Sequence, residues 1–242
     1  MLLALSCAKE PVTVPVEMEF TLQADAITKA LGDGSAVNKL MVGVFDADGN
    51  VAMDDFRKET TVTDGQARIR LTLMGTVAYK LVFWAQHDNT YLPANWTSAS
   101  LKAISPVLTP AAAPNQADAF CAIYDVASAA TASGIEVTLT RPFGVIDVQD
   151  PSDYSSVSNV TVTVAGAPTS YNAVAGTVSG STTFNIYNGA PLTGTEKAYA
   201  FLPATTSAIQ YNVTVNVDGN PTLVENAPVR SNFRTNLIGK FK

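Results

Sequence analysis

The segment "VTVPVEMEFTL", residues 12–22, alternates without a break. Val12, Val14, Val16, Met18, Phe20 and Leu22 fall on one face, and Thr13, Pro15, Glu17, Glu19 and Thr21 on the other. A period of two sends successive side chains to opposite sides of an extended chain, so the segment predicts a strand with one face in a core. Pro15 has no N–H for a ladder, which requires the strand to lie at an edge, or to be unpaired on one side, at that residue.

The same pattern recurs along the chain. "KLMVGVF", the turn "DADGN", "ARIRLTLM" and "YKLVFWAQ" predict further strands, with Ile69, Leu71 and Leu73 on one core face and Leu81 and Phe83 on another. The loop "HDNTYLPANWTSASLKAISPVLTPAAAPNQAD" is long enough to be functional or to be laid over the core as a cover. "GIEVTLTRPFGVIDVQD" predicts two strands broken at Pro142, and the polar, turn-rich "DPSDYSSVSN" follows. Strand signals then resume through "VTVTVAG", "TTFNIYNG", "KAYAFLP" and "IQYNVTVNVDGNPTLVEN". Long amphipathic helices need Leu, Glu, Lys and Arg in quantity, whereas only 15% of this chain is charged, with 13 prolines and 15 glycines as punctuation. The expectation is an all-β chain of two tandem β-sandwich domains with little helix: a tether over residues 1–10, one sandwich over 11–152 and a second over 153–242.

The net charge of −6 is unevenly placed. Residues 1–156 carry 10 cations and 18 anions, a net −8, and residues 157–242 carry 5 and 3, a net +2. An acidic body argues against nucleic acid as a partner, because neutralising phosphates needs clustered Lys and Arg. No stretch approaches the roughly 20 apolar residues of a membrane span. Two cysteines, Cys7 and Cys121, are too few for a disulfide framework. The opening "MLLALSCAKEP" places small and apolar residues ahead of Cys7, like the end of a bacterial lipoprotein signal, though without a basic region and with a short apolar run. Cys7 is the expected lipidation site, giving a membrane connection by lipid anchor only; the alternative is an inert thiol in an ordinary N-terminus.

No active site assembles from the residues, and no catalytic residue, cofactor or metal is expected. His87 is the one histidine, in a polar loop beside Asp88, and neither a nucleophile elbow nor a phosphate-cradling glycine pattern is present. Asp54 and Asp55 are adjacent in an extended segment and point to opposite faces. Asp46, Asp48 and Asn50 begin like a calcium loop, but Val51 stands where that loop needs Gly and Arg57 where it needs a bidentate Glu, which leaves a hairpin turn. Cys121, flanked by Phe120, Ile123 and Tyr124, is expected to pack as a small hydrophobe. In "TYLPANWTS", Tyr91 and Trp96 either offer ring planes to a glycan or pack down as the loop's cover.

Five segments occur in order over residues 91–242: "YLPANWTSASLKAI", "ADAFCAIYDV", "VTLTRPFGVIDVQ", "PTSYNAVAGTVSG" and "APVRSNFRTNLIGKF". Together they resemble the Bacteroides-type fimbrillin-like lipoproteins, the FimA/Mfa-type pilin and adhesin superfamily. The resemblance implies transthyretin-like sandwich domains and export as a lipoprotein to the cell outer membrane or a fimbrium. It also implies a role in fimbria assembly or adhesion, with other fimbrial subunits and a host or microbial surface ligand as partners. In polymerising members of that group a protease cuts after a basic residue and removes the N-terminal strand, and the vacated groove accepts a neighbour's strand. The resemblance thus implies Val12, Val14, Val16, Met18, Phe20 and Leu22 as the strand removed or exchanged, Lys29 or Lys39 as the cleavage residue, and Arg234, Asn236, Leu237 and Ile238 as the final-strand motif. An ordinary first strand that stays in its sheet is the plain alternative. Donation satisfies an open ladder while alternate side chains fill pockets, which the apolar face of residues 12–22 would do. Since that group's motif commonly continues into a further donor segment, the ending at Lys242 leads to the expectation of a capping, anchoring or accessory subunit, with Lys240 and Lys242 blunting the strand end. The competing expectation is a stand-alone surface glycan-binding lipoprotein.

Overall fold

The computed structural model describes residues 12–23, 34–52, 56–107, 114–150, 157–189 and 198–241. Seven strands of the first half form one sheet: β1 (Thr13–Gln23), β2 (Lys39–Phe45), β3 (Lys58–Thr61), β4 (Gln66–Met74), β5 (Tyr79–Gln86), β6 (Ala119–Val126) and β7 (Ile135–Thr140). Their spatial order is β3-β2-β5-β6-β7-β1-β4. β6 and β7 share a single pair, Cys121 opposite Thr140. There the sheet folds over on itself, because Leu40, Val42, Val44, Leu81 and Phe83 from one part meet Val16, Ile69, Leu71, Leu73, Val137 and Leu139 from the other in a common core. The alternation in β4 is visible as strictly alternating exposed and buried residues from Gln66 to Leu73.

The second half builds a sandwich from two sheets. β8 (Phe143–Gln149), β13 (Ala198–Pro203) and β16 (Arg234–Ile238) form a sheet ordered β13-β8-β16. β9 (Val160–Ala167), β12 (Thr182–Gly189), β14 (Ile209–Val217) and β15 (Asn220–Val229) form the other, ordered β12-β9-β14-β15. β10 (Ser170–Asn172) and β11 (Thr177–Ser179) make a small hairpin. Ile146, Val148, Ala200 and Leu202 pack against Val162, Val164, Val213 and Val215 between the two sheets.

The expected boundary after residue 152 assigns β8 to the first sandwich, and the hydrogen bonding corrects it. β8 pairs antiparallel with β13 and parallel with β16. The chain therefore passes from one sheet system to the other at Arg141-Pro142, and the turn-rich segment after β8 connects two strands of the second sandwich.

A third core joins the halves. Met41, Phe45, Val82 and Trp84 on the outer faces of β2 and β5 meet Phe143 and Val145 of β8 and Tyr199 and Phe201 of β13. Tyr91, Leu92, Trp96 and Leu101 from the long loop, with Tyr171 and Ala173 from the β10 hairpin, close its sides. The strands between two cores have no solvent face, which is why "KLMVGVF", "YKLVFWAQ" and "AYAFLP" read as nearly continuous apolar runs. Trp84 sits at the centre, edge-on to Tyr91 at 5.7 Å and to Phe143 at 5.9 Å, with Tyr171 tilted at 6.1 Å. Each such pair adds about 0.5–1.5 kcal/mol beyond the area it buries. The Gln86 side chain, fully buried, fixes the loop that follows: its oxygen accepts from Trp84 Nε1 and from the Leu92 N–H at 2.9 Å each, and its nitrogen donates to the Asp88 and Leu92 carbonyls. A polar group satisfied on every side in this way can sit in a core at little cost.

Two substitutions test the two faces of β8 by guanidinium denaturation, Phe143 facing the middle core and Gly144 the core of the second sandwich. Phe143→Ala removes a ring shared by Trp84, Tyr91 and Tyr171 and is expected to cost about 3–5 kcal/mol. Gly144→Ala drives a Cβ into the Val229 side chain and to 2.5 Å from the Arg230 carbonyl oxygen, for a loss of about 1–3 kcal/mol. An unchanged midpoint for Phe143→Ala would mean that the halves are not joined through the middle core, and one for Gly144→Ala that β8 does not lie against Val229 and Arg230.

Candidate strand-exchange site

β1 lies between β4 and β7 in the sheet order. It runs antiparallel to β4 from Thr13 opposite Met74 to Thr21 opposite Gln66, and parallel to β7 from Met18 opposite Ile135 to Gln23 opposite Thr140. Pro15 is opposite Thr72 of β4, and β7 begins alongside only at Met18, so the proline occupies a one-sided stretch as its missing N–H requires. Val16 is fully buried and Val14 half-buried, while Thr13, Pro15 and Glu17 face solvent. Val14 is seated against Gly75, where a Cβ would come within 2.8 Å of its side chain, and the Gly75 N–H donates to the Val12 carbonyl at 2.8 Å. The side chains of Met18, Phe20 and Leu22 lie outside the described residues; their backbones hold register with Ile69, Ala67 and, across β7, Ile135, Val137 and Leu139.

Withdrawing β1 would uncover ladder groups on both β4 and β7 above an apolar floor that includes Ile69, Leu71, Val137 and Leu139. On the solvent face, Glu17 pairs with Arg70 at 2.9 Å and Glu19 with Arg68 at 3.0 Å. Neither pair was anticipated from sequence. The signal was present as alternate Glu in "VEMEF" and alternate Arg in "ARIRL", but it becomes informative only once the two strands are known to be neighbours.

The remaining sequence candidates divide clearly. Cys7 and Lys29 lie outside the described residues. Lys39 opens β2, with Thr61 on one side and Gln86 on the other, and its Nζ donates to Asn89 Oδ1 at 3.1 Å. A protease needs a free extended backbone, and the paired ladder gives it none at Lys39. The glycan reading of Tyr91 and Trp96 is likewise corrected by their burial, at 8% and 1% exposure. Tyr91 donates its hydroxyl proton to the Ala117 carbonyl and Trp96 Nε1 donates to Glu59 Oε2, so both rings face inward as the loop's cover. Of the final-strand motif, Arg234 through Ile238 pair with β8, and Arg234 turns in to an ion pair with the buried Asp147. Asn236 and Ile238 are exposed and Leu237 is half-buried.

Elsewhere several ionisable groups are engaged in structure. His87 Nδ1 lies 2.9 Å from the Ala36 carbonyl. Asp46 accepts from the Asp48 and Asn50 N–H groups at 2.9 and 2.8 Å, and these bonds, the Asn50 bond above all, hold its carboxyl below the usual range. Burial pushes the Cys121 thiol up to about 12, with a hydrogen bond from Tyr171 pulling weakly the other way, which marks it as a packing residue. Arg141, buried where the chain crosses between sheet systems, grips Asp118 with two bonds of 2.6 and 3.0 Å and reaches Asn232 Oδ1 at 3.3 Å. Among the described residues no group of three or more His, Cys, Asp or Glu could hold a metal ion, and no helix is long and apolar enough to cross a membrane.

Glu17 supplies a pH test of how β1 is held. The Arg70 hydrogen bond and charge depress its carboxyl below 4.5. A depressed acid contributes stability that is complete above the unfolded value and disappears as pH falls through the folded one. Acidification through that range is expected to weaken β1 retention, measured by amide exchange on Thr13–Gln23. Glu17→Gln should flatten that part of the pH profile; an unaltered profile would show that the pair does not hold the strand.

The architecture matches several solved structures. A candidate cell adhesion protein from Bacteroides ovatus superposes with a TM-score of 0.54 at 12% identity, covering 95% of this chain and 93% of that one. A candidate adhesin from Bacteroides thetaiotaomicron gives 0.55 at 15% identity over 88% and 79% of the two chains. A candidate cell adhesion protein from Bacteroides uniformis gives 0.52 at 15% identity over 93% of each. At such identities the likeness is one of fold. No curated protein matches the sequence. One family profile does, over residues 9–241, and the chain belongs to that family, DUF6562, a family of unknown function.

Proposed function

We propose that this protein is a cell-surface, fimbria-associated structural and adhesion subunit that works by β-strand complementation, with β1 as the strand removed or exchanged. The observation that carries the reading is the position of β1: the first described strand, inserted between two others over a shared apolar core. A sheet that loses such a strand regains its hydrogen bonds only by accepting another of the same alternation. Cleavage in the connection between β1 and β2, at Lys29, would free the strand. Lys39 would first have to leave a ladder paired on both sides.

The fold likeness to candidate adhesion proteins supports a binding role over a catalytic one. Cys7 would carry the lipid anchor, placing the protein at the outer membrane or at the base of a fimbrium. Other fimbrial subunits would be its protein partners, and a host or microbial surface its external ligand. Because β16 is already engaged with β8, a capping, anchoring or accessory position fits better than a shaft subunit that lends this strand away. The stand-alone glycan-binding reading loses its two aromatic residues to the core.

Limited trypsin digestion followed by addition of a labelled peptide of residues 12–23 tests the proposal. The nicked protein is expected to release its own β1 fragment and to retain the peptide through size exclusion. A peptide with Val16→Asp should fail to bind, because that position is fully buried. Nicked protein that unfolds, or that keeps its strand and takes up no peptide, would refute it.

A further inference from the structure

The apolar residues of β1 repeat every second position, at Val14, Val16, Met18, Phe20 and Leu22. A strand displaced by two residues would therefore still turn an apolar face to the core, and only a displacement by one would reverse the faces. What changes from level to level is the solvent side.

There Pro15 stands opposite Thr72 of β4, Glu17 opposite Arg70, Glu19 opposite Arg68 and Thr21 opposite Gln66. On the other flank β7 sets Glu136 beside Glu19 and Thr138 beside Thr21, and its ladder begins only at Met18. The residue ahead of that ladder, Gly134, lines a hollow with Glu17, Glu19, Arg68 and Glu136 but brings no side chain to it. The two glutamates thus have different surroundings. Glu19 lies between the cation of Arg68 at 3.0 Å and the anion of Glu136 in the next strand. Glu17 meets Arg70 at 2.9 Å, and the charge of Arg68 also draws its carboxyl down.

Withdrawing β1 would leave two cations, Arg68 and Arg70, against one anion, Glu136, on the solvent side of the groove. Among the described residues β4 has no strand neighbour but β1, so an arriving strand supplies both the ladder of β4 and the partner of Arg70. Only the observed register gives each arginine an acid. A displacement by two residues in one direction would put Pro15 at Arg70 and Glu17 beside Glu136; in the other direction it would put Thr21 at Arg68. Among the described strands β1 alone carries two acidic residues, so no other of them, β16 included, could satisfy both arginines.

We infer that Arg70 is the specificity-determining residue of the exchange groove, selecting from a neighbouring subunit a strand that is apolar at alternate positions and acidic at the position that meets it. Arg68 discriminates less, because Glu136 lies across the strand from it and accepts a cation at the position between them. The inference rests on the strand-exchange reading above and names the chemistry of the strand that the groove takes.

Nicking with a lysine-specific protease, which leaves Arg68 and Arg70 uncut, prepares the test. Once the protease is quenched, fluorescence anisotropy measures the binding of labelled peptides of residues 12–23. The Glu17→Gln peptide is expected to bind about two- to fivefold more weakly than the parent peptide, the worth of one exposed ion pair. Glu17→Lys should bind about tenfold more weakly, since a like charge then faces Arg70. Glu19→Lys makes the same change in peptide charge but should cost less than about threefold, because Glu136 replaces Arg68 as its partner. Arg70→Glu alters an exposed side chain and should leave the circular dichroism spectrum of the protein unchanged. In that protein the order is expected to reverse, with the Glu17→Lys peptide bound more tightly than the parent peptide. Three results would each overturn the inference while leaving strand exchange standing: uptake of the parent peptide with no preference at residue 17, an equal loss for Glu17→Lys and Glu19→Lys, as net charge alone would give, or an unreversed order in Arg70→Glu. Nicked protein that takes up none of the peptides would refute strand exchange and this inference with it.

Discussion

The middle aromatic core is the constraint on which the rest of the molecule depends. Because it lies between two sheets that also face the outer cores, β2, β5, β8 and β13 are covered on both sides and cannot leave without opening two cores at once. The outer layers are different. β1, β4 and β7 face a single core, and the opposite side carries charged and hydroxyl residues. For the proposed strand exchange this layering favours a strand exposed on one face, first among the described strands and flanked by two ladders over any strand of the inner sheets. β1 meets all three conditions.

Buried ion pairs stand at two of the places where the chain changes sheet. Arg141 is gripped by Asp118 where β7 gives way to β8, and Arg234 reaches Asp147 where the chain enters β16. Such pairs add little net stability compared with apolar packing, but removing one partner strands a charge in the core at about 3–5 kcal/mol. The residues of the "TRPFG" and "FRTN" segments, visible as motifs in sequence, have a common use in fixing β8 and β16 relative to each other and to the first half.

What could be read from the sequence follows from what alternation encodes. In β1 and β4 the period of two revealed both the strand and its core face, because one side is wet. In β8 the same logic misled: "FGVIDVQ" is apolar on both faces, so nothing in it indicates which half it belongs to, and the turn-rich residues after it were mistaken for a boundary. Partner choice was not legible either, since alternation specifies a face and not a neighbour; the Glu17–Arg70 and Glu19–Arg68 pairs emerged only with the register. Tyr91 and Trp96 were ambiguous for a related reason. An aromatic ring in a polar loop has the same sequence signature whether it points out to a ligand or in to cover Trp84, and only the burial of the two rings and their partners, the Ala117 carbonyl and Glu59, decide between them.

The most direct test of the central claim, that β1 is the separable strand of an otherwise locked stack, is native-state hydrogen exchange resolved by strand across low denaturant. The account predicts that amides of Thr13–Gln23 open together in a sub-global step well below the free energy of complete unfolding, while β2, β5, β8 and β13 exchange only with global unfolding. Exchange of β1 in concert with those inner strands, at the full unfolding free energy, would contradict it.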